Sequence, residues 1–120
     1  MQITLQQLDP DITLLGLNGS LDTDSLKELR SRVNQLLEEG RRRIIIDCIS
    51  LKFVSSAGIG GMVMLHRRAK EMDAIIRFAG AHGAVLDVLE LMNLGSILNL
   101  SPDTDHARQA LAQTHPGSSN

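Results

Sequence analysis

The chain has 120 residues, 42% of them hydrophobic, and a formal charge of −2 at neutral pH. That length builds one ordinary core and is too short for two, and the charge offers no global attraction to nucleic acid or an anionic membrane. Only Phe53 and Phe78 are aromatic, which excludes an aromatic platform for stacking bases and leaves the core to Leu, Ile, Val, Met and Ala.

Met1-Gln2-Ile3-Thr4 lacks the basic start and apolar block of a secretion signal, and no apolar run reaches spanning length, so a soluble, cytoplasmic protein is expected. Ile3 and Leu5 alternate with Gln2, Thr4 and Gln6; Asp9-Pro10-Asp11 interrupts; Ile12 to Leu17 then resumes a strand pattern, which predicts an antiparallel hairpin. Asn18 to Asp22 breaks it. Leu26, Leu29, Val33, Leu36 and Leu37 follow at helical spacing, with Thr23, Asp24 and Ser25 as possible N-caps, Glu28 nearby and Gly40 as a stop. Arg41-Arg42-Arg43 is the only basic cluster. It reads as cations answering the negative end of that helix, and as a phosphate patch it lacks interleaved aromatics.

Ile44-Ile45-Ile46 is continuous and β-branched, which predicts a central strand covered on both faces. The single cysteine, Cys48, lies inside it, forbids an internal disulfide and is expected to pack in the core. Ser55 and Ser56 stand before Ala57, where a second helical pattern begins, so the pair marks a strand-loop-helix junction with a hydroxyl near the positive end of a helix dipole. Met62, Leu65, Ala69 and Met72 form the buried side of this second helix; Arg67, Arg68, Lys70 and Glu71 fill the other. Ala57, Gly58, Gly60 and Gly61 crowd its first turn at a cost of up to about 1 kcal/mol per glycine, so something must approach closely, either the sheet or a partner surface. Residues 74–80 predict a strand, 84–92 a helix ending near Asn93 and Gly95, Ile97 to Leu100 a short edge strand, and 103–113 a last helix with Ala107, Ala110 and Leu111 on one side. His115 to Asn120 reads as a frayed tail. Alternating strands and helices make this an α/β layer.

Gly58-Ile59-Gly60 after a strand invites comparison with a dinucleotide fingerprint, but Val63 stands where a third small residue belongs, and Ala79, Gly80 and Ala81 stand where a carboxylate belongs. No Gly-Lys-Ser/Thr exists for a phosphate loop. A hydrolase elbow would need glycine where Val54 precedes Ser56 by two, with acid and histidine partners that do not follow in a convincing pattern. His66, His82, His106 and His115 are scattered, are expected on the surface, and with Cys48 match no zinc spacing. No catalytic residue, metal ligand or cofactor is expected. Phosphorylation remains: a phosphate on Ser56 would bring about −1.5 to −2 charges to a helix start whose N–H groups can receive it, and would repel an acidic partner. A plain N-cap serine is the open alternative.

Phe53-Val54-Ser55-Ser56-Ala57-Gly58-Ile59-Gly60 resembles the phosphorylation-site signature of bacterial anti-sigma factor antagonists, the STAS-domain family, in which an apolar pair precedes Asp-Ser-Ser/Thr/Ala-Gly-Leu-Gly. Gly19-Ser20-Leu21-Asp22 is similar to that family's Gly-x-Leu-Asp element, and the order of strands and helices matches over residues 2–113. The resemblance implies a single STAS domain at 1–113, with a mixed sheet of about four or five strands packed with about four helices, followed by a flexible tail at 114–120. It implies Ser56 as phosphoacceptor and a partner surface drawn from Ser20, Asp22, Ser55, Ser56, Ala57, Gly58, Ile59 and Gly60. Ser55 stands where the family carries aspartate, which removes a negative charge beside the acceptor and bears on kinase recognition. The implied partners are an ATP-binding serine kinase that doubles as anti-sigma factor and a metal-dependent serine/threonine phosphatase, with ATP and magnesium belonging to the partner and the domain itself a monomer or weak dimer. The alternative is a STAS interaction or scaffold module in another kinase-phosphatase circuit serving motility, biofilm or stress responses.

Overall fold

A computed structural model describes residues 1–113, and the tail expected at 114–120 lies outside them. The elements run β1 (Gln2–Asp9), β2 (Ile12–Leu21), α1 (Thr23–Glu38), β3 (Arg43–Val54), α2 (Ser56–Glu71), β4 (Ile75–Ala79), α3 (Gly83–Leu91), β5 (Leu100–Ser101) and α4 (Thr104–Ala112). The five strands form one sheet in the order β1-β2-β3-β4-β5. Only β1 and β2 pair antiparallel, as the hairpin pattern predicts; the other pairs are parallel.

β3 lies at the centre because its isoleucines find cover on both sides. Ile44, Ile46 and Cys48 join a core that includes Leu29, Val33, Met62, Leu65, Val85 and Leu89, so α1, α2 and α3 share one face of the sheet. Ile45 points the other way, against Ile12, Ala107 and Leu111, where α4 packs alone. All three isoleucines are fully buried. A strand buried on both faces needs no polar alternation, which is why the run is continuous.

Four local expectations change. β2 continues through Asn18 to Leu21, because β3 supplies pairing up to Leu21↔Val54 and register shifts after Gly16 and Gly19 absorb the residues that look like a turn. The cap of α1 is Asp22 itself, one residue before the predicted set: its carboxylate accepts from Asp24 N at 3.1 Å and Ser25 N at 3.0 Å, while Asp22 N donates to Ser25 Oγ at 2.9 Å. The edge strand is Leu100–Ser101 rather than 97–100, since Leu98 N and Leu100 N fold back onto the carbonyls of Leu94 and Gly95. Two of the three arginines answer groups other than the end of α1: Arg42 donates to Met72 O at 2.8 Å at the end of α2, and Arg43 pairs with Asp11. Gly40 does stop α1, with φ at 85° and with Gly40 N and Arg41 N bonded to Leu37 O and Leu36 O.

Candidate functional site

β2 and β3 are parallel neighbours that end together at Leu21 and Val54, and each feeds a helix at that edge. The junctions are tied by Ser55 N donating to Leu21 O at 2.9 Å. Two helix N-termini therefore lie side by side, both presenting partial positive charge at one rim of the sheet.

Ser55 is the N-cap of α2. Its Oγ accepts from Gly58 N at 3.1 Å, and its carbonyl takes the first intrahelical bond, from Ile59 N at 2.9 Å. Ser56 is the first residue of the helix and is exposed, as is Ala57. Their own N–H groups precede the first intrahelical donor, so they remain available to an incoming acceptor. The two serines thus divide the work, one closing the helix and the other presenting a hydroxyl.

On the neighbouring helix, the Asp22 carboxyl is held below its usual range, first by the Ser25 N–H and then by the Ser25 hydroxyl. It remains anionic at any moderately acidic pH. Ser20 is half-buried, and its carbonyl accepts from Ser25 Oγ at 2.7 Å, which locks the end of β2 to the first turn of α1.

The glycines are now separated by what lies against them. A Cβ on Gly58 would sit 2.5 Å from Leu21 O and 2.9 Å from Val54 Cγ2, and one on Gly61 would overlap the Leu26 side chain. The close approach is therefore made by β2 and α1. A Cβ on Gly60 would meet nothing within 4 Å. Gly58 and Ile59 are buried, so from the segment expected to meet a partner the surface carries Ser56, Ala57 and Gly60, with Ser55 half-exposed.

Sequence pattern overlooked two apolar neighbours. β3 pairs with β4 only from Arg43 to Asp47, so its continuation has no strand on that side, and Ile49 and Phe53 are each 56% exposed. Phe53 is in register with Ser20. The signal was present in the length of the apolar stretch, which runs well past the five residues of β4.

Among the described residues, no three His, Cys, Asp or Glu side chains are grouped to hold a metal ion. Cys48 is buried and its thiol is pushed up to about 12 by loss of water and by Asp47. His82 and His106 are exposed, and His82 Nε2 lies 2.9 Å from Ile49 O. His66 departs from the expected surface setting: it is half-buried, and its Nδ1 is enclosed with no hydrogen-bond partner. His115 lies outside the described residues. No described helix is long and apolar enough to cross a membrane.

The sequence matches the profile of the STAS domain over residues 3–107. It is 20% identical over 116 residues to BtrV of Bordetella bronchiseptica, a protein named as a candidate anti-sigma factor antagonist, covering 97% of this chain and 99% of BtrV. Among solved structures, an anti-sigma factor antagonist from Mycobacterium paratuberculosis superposes with a TM-score of 0.80 at 17% identity, covering 93% of this chain and 96% of that one. The Bacillus cell fate determinant SpoIIAA, in its phosphorylated form, superposes with a TM-score of 0.70 at 16% identity, covering 91% of this chain and 99% of that one. At such identities the structural likeness speaks for the fold.

Proposed function

The chain belongs to the STAS domain family, and on that footing we propose that it is a phosphorylation-switched anti-sigma factor antagonist. Unphosphorylated at Ser56, it binds a serine kinase that doubles as anti-sigma factor, and a sigma factor goes free. Phosphorylation by that kinase releases it, and a metal-dependent phosphatase restores it. The domain is a substrate and a binding module acting in the cytoplasm, and ATP and magnesium belong to its partner.

The observation that carries this proposal is the exposed Ser56 hydroxyl at the first position of α2, beside N–H groups that have no intrahelical acceptor. A phosphate there gains donors from the helix start, so the fold tolerates it. The change is felt outside: an added charge of about −1.5 to −2 at a rim that already holds the Asp22 carboxylate costs several kcal/mol against an acidic partner. Each 1.4 kcal/mol is about tenfold in affinity. The names of BtrV and of phosphorylated SpoIIAA support the same assignment.

The test is affinity capture from native lysate with wild type, Ser56→Ala and Ser56→Glu as bait, with mass spectrometry of both partners and bait. Ser56→Ala should retain a kinase-bearing partner, Ser56→Glu should lose it, and wild type from cells should yield a phosphopeptide containing Ser56. Equal capture by all three, or phosphate mapped only elsewhere, overturns the proposal.

A further inference from the structure

On the outer side of the helical layer, α1 and α2 leave a cleft of about 240 Å³ between them. Its floor is apolar, built from Leu26 and Gly61 at one end and from Met64 and Leu65 beyond them, and Arg30 and Arg68 flank it from opposite helices. Met64 is 61% exposed there. Asn34 also lines the cleft, and its Oδ1 is buried without a hydrogen-bond partner. Among the described residues neither Arg30 nor Arg68 is engaged in an ion pair. The space is smaller than the roughly 300–1,000 Å³ of pockets that enclose small ligands, and it suits a few projecting side chains from another protein surface.

The same chain carries a matching projection. On α3, Asp87, Glu90 and Leu91 lie three and four residues apart and so share one face. All three are exposed, Leu91 at 83%, and Met92 continues the apolar tip at 52%. Asp87 and Glu90 are likewise in no ion pair among the described residues. One surface is an apolar cleft between two unpaired cations, and the other an apolar tip beside two unpaired anions.

We propose that a second copy of this chain docks the Leu91-Met92 end of its α3 into the cleft between α1 and α2, with Asp87 and Glu90 meeting Arg30 and Arg68. The two surfaces are different parts of one molecule, and we take the docking to run head to tail, so that it continues into a ring or an open filament. Association therefore passes beyond the monomer or weak dimer expected from the sequence. Along α2 the cleft runs from Gly61, five residues and about 8 Å from Ser56 at the helical rise, to Arg68, twelve residues and about 18 Å from it, and the association does not rest on phosphorylation. Opposite charges make it stronger at low ionic strength.

Sedimentation velocity of the purified full chain from micromolar to millimolar concentration tests it. Wild type should gain weight-average mass steadily, past the dimer, and lose that gain in high salt. Arg68→Glu and Glu90→Arg should each raise the concentration needed by about tenfold or more. Combining the two should bring it back towards wild type, and Leu91→Ser should abolish the gain with the circular dichroism spectrum unchanged. A wild type that stays monomeric at millimolar concentration, single variants that associate as wild type does, or a double variant that fails to recover each overturns the proposal.

Discussion

Ser55 donates its backbone N–H to the carbonyl of Leu21 at 2.9 Å, and this one bond fastens the start of α2 to the end of β2. Ser55 precedes Ser56, and Leu21 precedes Asp22, so the same bond holds the proposed acceptor and the neighbouring carboxylate at one rim. Their relative position is set by backbone and by the Leu21↔Val54 register rather than by long side chains.

Two glycines in the first turns of α2 should respond to alanine in opposite directions. At Gly58 an added methyl meets Leu21 O at 2.5 Å and Val54 Cγ2 at 2.9 Å, and the carbonyl cannot rotate away as a side-chain tip could. Gly58→Ala should therefore cost about 1–3 kcal/mol, as overpacking does. Gly60→Ala meets open space and should stabilise by up to about 1 kcal/mol through helix propensity. Urea denaturation midpoints measure both, and a Gly58→Ala as stable as wild type would contradict the close approach described.

How much of this was readable from the residues depends on the range of the interaction that decides each feature. The three consecutive isoleucines announce a doubly covered strand because burial on both faces is written in the residues themselves. Gly58, Gly60 and Gly61 look alike in sequence; only the arrival of Leu21 and Leu26 from distant positions separates them. The continuation of β2 through Asn18 and Gly19 was hidden for the same reason, since a neighbouring strand overrode a local turn signal. Asp22 was read as part of a motif and missed as a cap, although Ser25 three residues later completes a capping box. The exposure of Ile49 and Phe53 was legible only by setting the twelve residues of β3 against the five of β4, since pairing between them stops at Asp47.

Ser55 is expected to act on stability and Ser56 on binding. Removing the Ser55 hydroxyl leaves Gly58 N without its acceptor at 3.1 Å, so Ser55→Ala should cost about 0.5–2 kcal/mol. Ser55→Asp restores the residue usual in the resembled signature and caps about as well, so it should change stability by only a few tenths of a kcal/mol. Ser56→Ala removes no cap and should unfold at the wild-type midpoint within about 0.5 kcal/mol. A Ser55→Ala midpoint equal to wild type would show that the cap contributes nothing.

Cys48 should be inert in the folded protein. Its Sγ lies 3.7 Å from Ile46 O in the core, and loss of water together with Asp47 pushes the thiol up to about 12 from its ordinary 9. The thiolate is the reactive form, so at pH 8 the folded chain offers almost none of it. A disulfide reagent should label Cys48 only as denaturant unfolds the chain, with a rate that follows the unfolded fraction. Labelling at the speed of a free thiol without denaturant would mean that β3 opens locally.

His66 should make stability depend on pH in the range just below neutral. Burial, then Lys70 and Arg67, hold its imidazole below the usual 6.5, and its enclosed Nδ1 has no acceptor to receive a proton's hydrogen bond. Below 6.5 the unfolded chain binds this proton more readily than the folded one, so its contribution to stability is complete above that pH. The contribution is lost as pH falls from 6.5 through the lower folded value. The capping carboxylates act in a separate window: Asp22 and Asp103 are both held below 3.8, so their contribution is lost only as pH falls beneath that value. Urea midpoints measured between pH 7 and pH 5 should fall for wild type, and the slope should flatten in His66→Gln, whose amide cannot titrate. An identical slope in both proteins would place the proton uptake on another group.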